Sequence, residues 1–278
     1  MSEDKRLKAK RRFFSAVCYI VLGLAALCSI FPFYWMIVGA TNNTNDIIRG
    51  KMTFGSALLE NLTRLMEVAD LKQVFLNSVK ISVLTVGVSI LVTSMAAYGF
   101  EKYRSATKEK IYGIFILSMM IPFSAIMIPL FKMMAYARLV DTAAAVVLPS
   151  ITSTFLIFFF RQNFKLFPTT LIEAARIDGA GEFRIFFSMV LPSMKSTYAA
   201  AIIYAFMNSW NNYLWPLIIL QSPEKRTVTL MVSAVSAFTY KADYGLIMVA
   251  IVLVTIPTLI IFLTMQKQFV EGLVGSVK

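Results

Sequence analysis

EAARIDGAGEFRIFFSMVLP, Glu173 to Pro192, is a charged and glycine-broken stretch set between long apolar runs. What it interrupts decides the fold. Of 278 residues, 58% are hydrophobic and only 15% charged, far from the mix of an ordinary soluble domain. Six apolar stretches, 13–40, 79–100, 111–131, 142–160, 196–220 and 244–266, are each long enough to cross about 30 Å of hydrocarbon as a helix. The expected fold is an all-α integral membrane protein with six transmembrane helices.

Orientation follows from lysine and arginine, which are in excess on the cytoplasmic side. With the N-terminus inside, 17 of the 27 basic residues fall in the cytoplasm, so both termini and the Glu173–Pro192 stretch are placed there. The net charge of +12 does not point to nucleic acid, because the basic residues are scattered over loops and ends rather than striped along one face. KRLKAKRR before an apolar run resembles the start of a signal peptide, but the run is too long and lacks a small-residue cleavage site, so it stays as the first helix. LAALCS around Cys28 falls short of a lipoprotein cleavage site, because Leu27 stands where a small residue is needed. Cys18 and Cys28 lie roughly 15 Å apart along that helix and cannot pair.

The chain has no histidine, which removes a Ser-His-Asp arrangement and any histidine-bearing metal site. Gly50-Lys51 lacks the glycine and the hydroxyl residue of a phosphate-cradling loop, so no nucleotide is hydrolysed here and no cofactor is expected on this chain. No span carries an ionisable group in its interior; Glu101, Lys132 and Asp141 stand at edges, where snorkelling accounts for them. Energy for any transport would enter from another subunit.

Between the fourth and fifth spans, residues 162–192 form a cytoplasmic segment too long for a plain connection. Thr170 and Glu173 have the spacing of a capping box, and Gly179 stands where a left-handed stop falls, which predicts a helix over 171–178. Phe183, Phe186, Phe187 and Val190 recur at i, i+3, i+4 and i+7, one apolar face of a second short helix closed by Pro192. Helices this short need a packing partner. Ala174 and Ala175, edged by Glu173, Arg176 and Asp178, suit close insertion into a groove on another protein. For the phenylalanine face, lying on the membrane surface or under its own helices is the equal alternative.

These residues carry a resemblance. Glu173-Ala174-Ala175, three residues, Gly179, nine residues and Met189-Val190-Leu191-Pro192 resemble the EAA loop of binding-protein-dependent ABC importer permeases, with methionine where the family usually has isoleucine. ARIDGAGEFRIFFSMVLP, WNNYLWPL (Trp210 to Leu217) and QKQFVEGLVGSVK (Gln266 to Lys278) are similar to the sugar-permease branch, in particular its maltose-type second permease subunit. The resemblance implies the type I ABC importer permease fold, one permease domain over 1–278, and a location in the bacterial inner membrane. It also implies partners: a second homologous permease, a cytoplasmic ATPase dimer that holds the ATP and magnesium, and an extracytoplasmic sugar-binding protein facing 221–243. Glu173, Ala174, Ala175, Asp178, Gly179, Leu191 and Pro192 would then form the coupling element seated in the ATPase.

The fifth span is the most polar, with Asn208, Trp210, Asn211, Asn212, Tyr213 and Trp215 before Pro216. Amides read sugar hydroxyls and aromatic faces stack on sugar rings, so the cluster suits a solute path for a sugar. An aromatic belt or polar helix contacts are the alternatives. Tyr240 and Tyr244 are candidates for the binding-protein face or interfacial anchors. The methionines of the third span read as adaptable packing, and 41–77 as a small external cap with an amphipathic helix near 58–71. Asn42-Asn43-Thr44 and Asn61-Leu62-Thr63 match glycosylation acceptors, a match frequent by chance. An importer of a phosphorylated polyol such as glycerol 3-phosphate, and a secondary carrier or channel, are the alternative functions.

Overall fold

The computed structural model describes residues 3–237 and 242–274, with side chains for 11–237 and 242–267. Tyr240 and the chain beyond 274 lie outside the described residues. The helices are α1 (Glu3–Ala40), α2 (Thr44–Ile48), α3 (Leu58–Val68), α4 (Leu71–Lys102), α5 (Ala106–Ser118), α6 (Phe123–Tyr136), α7 (Ala143–Val147), α8 (Thr154–Phe164), α9 (Thr169–Ile177), α10 (Glu182–Ile185), α11 (Leu191–Ser193), α12 (Lys195–Trp210), α13 (Leu214–Ile219), α14 (Val228–Ala237) and α15 (Tyr244–Val274). A π-helical turn, Phe186–Val190, joins α10 to α11.

Segments α1, α4 and 244–267 of α15 are long and apolar enough to cross a membrane, and taking each of three bent pairs as one crossing gives six. The third, fourth and fifth crossings are not the straight helices expected. α5 and α6 are turned by 106°, with Pro122 at the break as the N-cap of α6; a proline disfavours helix in the residue before it. α7 and the 3-10 turn Leu148–Ser150 bend 41° from α8, where Ser153 Oγ accepts from the Leu156 N–H at 3.4 Å. α12 stops at Trp210 and helix resumes only at Leu214. The second crossing begins at Leu71, well before the apolar run at 79, because Asp70 caps it by accepting from the Gln73 N–H at 3.0 Å.

Two compact units result, Met1–Val68 with Ala234–Leu253, and Ala69–Ser233 with Val254–Lys278. In the first, wholly buried Asn61 donates from Nδ2 to the carbonyls of Ala40 (3.0 Å) and Asn42 (2.9 Å). Arg64 pairs with Asp243 at 2.6 Å, and Asp243 also accepts from the Thr44 hydroxyl at 3.0 Å. A Cβ on Gly245 would stand 2.7 Å from Asn61 Oδ1, so this close approach needs glycine. Asn42 and Asn61, the asparagines of the two acceptor-like triplets, are both buried.

In the second unit α4 packs against α8 and α12. Tyr98 meets Phe164 edge-on at 6.0 Å and Phe186 at 5.3 Å, and Phe160 meets Tyr198 at 4.9 Å. α12 presents buried Ala199, Ala200, Ala201 and Ala205, small residues that let helix backbones approach closely. Glu101 does not snorkel: it pairs with Arg161 at 3.2 Å, each side chain only 5% exposed, and Arg104 also binds it. Arg161 reaches Glu109 at 2.5 Å and covers the Tyr112 ring at 3.9 Å. The ends of three helices are thus drawn into one cluster, in which the two charges held out of water, Glu101 and Arg161, are both partnered.

Lys132 is exposed. Asp141, between α6 and α7, accepts from Ser222 Oγ at 2.5 Å, from the Gln221 N–H at 2.9 Å and from Lys225 Nζ at 2.9 Å. The Ser222 hydroxyl, with Lys225 and the backbone N–H groups, holds its carboxyl well below the usual carboxylate range.

Breaking the cluster from one side strips a buried charge of its buried partner: without Arg161, Glu101 keeps only the exposed Arg104. R161A is expected to destabilise the chain by about 3 kcal/mol or more, and E101A/R161A by less than R161A. Thermal unfolding of the purified protein in detergent measures both; equal losses would show that the two charges do not depend on each other.

Candidate functional site

Both regions singled out by the sequence, the loop and the polar fifth crossing, fall in the second unit. α9 opens at Pro168 (φ −61°), and no side chain caps it. The Thr170 and Glu173 capping box is therefore not formed, because proline starts the helix early enough to bring both residues inside it. Ile172 and Ala175 face inward, whereas Glu173, Ala174, Ile177 and Asp178 are exposed, Ile177 at 86%. The two alanines thus point to different sides. Gly179 has φ +81°, the left-handed conformation that glycine adopts without a Cβ penalty. Its N–H donates to the Arg176 carbonyl at 3.0 Å, and the Ala180 N–H to that of Ala175 at 2.9 Å.

The turn is braced. Arg176 Nε donates to Glu182 Oε1 at 2.6 Å, and its guanidinium lies 5.3 Å from the Tyr103 ring centre. Arg176 holds the Glu182 carboxyl below its ordinary value, and Glu182 in turn raises the guanidinium. Burial, then Glu182, pushes the Tyr103 hydroxyl up. Lys102 Nζ donates to the Phe167 carbonyl at 2.8 Å, tying the end of α4 to the start of the loop.

Beyond the turn the expected phenylalanine face is split. Ile185, Phe186 and Val190 are buried, whereas Phe183 and Phe187 are exposed. Phe183 and Phe187 stay together on the outer side while Phe186 and Val190 turn inward, and the π-helical turn that begins at Phe186, with its extra residue per turn, carries Val190 onto the core. Leu191 packs half-buried on the same aromatic core, and Pro192 is exposed. α12 leaves this segment at 85°.

The break at Asn211–Tyr213 opens onto a cavity of about 680 Å³, within the range of about 300–1,000 Å³ usual for small-molecule sites. Asn208, Asn211, Asn212, Tyr213 and Trp215 line it. Trp210 does not: its indole is buried, stacked on Phe206 at 5.4 Å, and donates from Nε1 to the Val254 carbonyl at 3.0 Å. Trp215 Nε1 donates to the Ala145 carbonyl at 2.9 Å, which fixes its ring at the wall. Asn208 spends one amide N–H on the Tyr204 carbonyl at 2.9 Å. Tyr213 and Ser233 share a hydrogen bond at 3.0 Å.

Helix α4 and the break before α8 supply further lining that the reading of the fifth span missed: Thr85 and Ser89, and Ser150 and Ser153. The signal was present. Ser78, Ser82, Thr85, Ser89 and Thr93 recur at helical spacing along one buried face of α4, a hydroxyl stripe in an apolar helix. Among the described residues that line the cavity there is neither an acid nor a base.

Residues 89–274 match the family described as binding-protein-dependent transport system inner membrane component. A lactose transport system permease protein from Rhizobium radiobacter is 51% identical over 269 residues, 97% of this chain and 98% of the relative. An arabinooligosaccharides transport system permease protein from Bacillus subtilis (strain 168) is 33% identical, over 92% of each chain. An sn-glycerol-3-phosphate transport system permease protein from Yersinia pestis is 32% identical, over 96% of this chain and 99% of its own. The crystal structure of a bacterial ABC transporter involved in the import of the acidic polysaccharide alginate superposes with a TM-score of 0.83 at 21% identity, over 94% of this chain and 98% of that one. That likeness bears on fold alone.

The brace across the Gly179 turn is pH-dependent in a defined direction. Because the Glu182 carboxyl is held below its ordinary value near 4.5, its contribution is complete above that value and is lost as pH falls through the lowered one. Hydrogen exchange of the α9 amides, corrected for intrinsic rates, is expected to lose protection as pH falls below that ordinary value, with E182Q less protected at neutral pH and showing a smaller acid step. An acid step of the same size in E182Q would remove Glu182 as its cause.

Proposed function

The chain belongs to the binding-protein-dependent transport system inner membrane components, and from that premise we propose that it is the permease subunit that passes a neutral sugar through an ATP-driven importer. The solute is a mono-, di- or oligosaccharide. The observation that carries this reading is the uncharged cavity, walled by amides, hydroxyls and the rings of Tyr204, Tyr213 and Trp215. Hydroxyl-rich solutes exchange hydrogen bonds with such groups, and their apolar ring faces suit aromatic walls. Relatives named for lactose and arabinooligosaccharides agree with it. Import of a phosphorylated polyol is the weaker reading: an anion asks for lysine or arginine at the wall, and the residues lining the cavity include none.

The chain does no catalysis. A partner ATPase dimer holding ATP and magnesium supplies the energy, a second homologous permease completes the pore, and an extracytoplasmic binding protein delivers the sugar to the 221–243 side. On this reading the exposed row Glu173, Ala174, Ile177 and Asp178 is what the ATPase grips, with Gly179 setting the turn. Ala175 serves from the inside, seating α9 on the core. The Arg176–Glu182 brace makes both halves of the loop move together. Phe186, wedged on Tyr98 of α4, passes the displacement to helices that also line the cavity. Leu191 and Pro192 stand where the loop turns into α12 and carry the same motion.

E173R reverses the charge on the gripped face, and G179P forbids the positive φ because the proline ring fixes φ near −65°. Each is expected to reduce uptake of radiolabelled lactose to background in cells expressing the full importer, with the chain still abundant in the membrane. The vanadate-sensitive ATPase that co-purifies in mild detergent should fall in parallel. Normal uptake by both variants would refute the coupling role, and an abundant chain that never retains an ATPase would refute the importer itself.

A further inference from the structure

The hydroxyls along α4 are not equivalent. Ser78 Oγ accepts from the Val228 N–H at 2.8 Å, and Thr93 and Ser94 donate to the carbonyls of Ser89 (2.5 Å) and Leu91 (3.2 Å). Ser89 does the same with Val86 at 3.4 Å. Returning a hydrogen bond to the preceding turn is how serine and threonine ordinarily settle inside a helix. Ser82 and Thr85 depart from this: both are buried, and neither Oγ has a hydrogen-bond partner. Thr85, only 6% exposed, also lines the 680 Å³ cavity.

A buried hydroxyl without a partner is a standing penalty, most of all where lipid rather than water surrounds the helix. Asn208 lines the same cavity, with an amide N–H engaged by the Tyr204 carbonyl. We propose that Thr85 is a solute-contacting residue, whose hydroxyl completes its hydrogen bonding with a hydroxyl of the transported sugar in the cavity that Asn208 also lines. A sugar hydroxyl both donates and accepts, so one such group can accept from Thr85 and still donate to another acceptor of the lining. Ser89, one turn further along the same lining, already has its partner in Val86. The inference names a residue of the solute path and rests on the reading of the cavity as that path.

The test uses the assembled importer in native membranes. T85V keeps the shape and removes the hydroxyl; it is expected to lower lactose uptake several-fold to about tenfold, the scale of one lost hydrogen bond. T85S should restore most of it, with membrane abundance and co-purified ATPase unchanged in both. Uptake by T85V equal to that of the parent overturns the proposal, as does a loss in T85V and T85S alike. A second measurement separates the two levels of inference. In a C18S/C28S background, T85C and N208C are treated with a small hydrophilic thiol reagent during turnover, with and without lactose; V83C, on the exposed face of α4, serves as the reference. Protection of both by lactose supports the proposal. Protection of N208C alone leaves the path standing and removes Thr85 from it; no protection at either position removes the path and the inference with it.

Discussion

Hydrocarbon offers a polypeptide no hydrogen-bond partners, and every place where this chain leaves the helix has to answer for the backbone groups it exposes. Within the second unit the answers are side chains. Ser153 takes the N–H of Leu156 at the start of α8, Thr229 Oγ1 donates to the Asn212 carbonyl at 2.8 Å, and Asp141 collects the N–H groups of Gln221 and Ser222. Two of these repairs adjoin the cavity, which is bounded by the 149–153 break and by Asn211–Tyr213. Irregular backbone at membrane depth is tolerated where it lines a polar space, and the same breaks that cost regular hydrogen bonds create that space.

At the other end of the same helices, charge takes the place of backbone as the thing to be satisfied. Glu101, Arg161 and Glu109 draw α4, α8 and α5 together at the loop side of the unit, while Tyr98, Phe164 and Phe186 join the loop to α4. The loop is therefore fastened at several points: by an aromatic wedge, by Lys102 on Phe167 and by the Arg176–Glu182 pair. None of these contacts uses Glu173, Ala174, Ile177 or Asp178, which leaves those four residues free to meet a partner.

Much of this was legible in the sequence, and what was not has specific causes. Hydropathy located the apolar crossings, since length and composition carry that information directly. It could not find the 106° turn at Pro122 or the gap at Asn211–Tyr213, because a broken crossing and a straight one have the same composition. Gly179 announced its own turn. The neighbouring capping box read well and does not exist, because Pro168 had already started the helix. Periodicity assigned Phe183, Phe186, Phe187 and Val190 to one face, but the first and third point outward and the other two inward, and a π-turn changes the period from Phe186 on. In the solute cluster, Trp210 and Trp215 looked alike; only packing reveals that one ring is consumed by Phe206 and Val254 and the other stands at the cavity wall. The α4 hydroxyl stripe was visible as spacing and went unread, since single serines in an apolar helix carry little signal.

The lining of the cavity has an electrical consequence. Moving one elementary charge through a membrane at 100 mV involves about 2.3 kcal/mol, and the path proposed above, a neutral sugar in a cavity lined without charge, would offer the potential nothing to act on. Such a subunit would run at a speed indifferent to the voltage its host maintains, leaving nucleotide as the sole currency and letting accumulation continue in a cell whose ion gradients have collapsed.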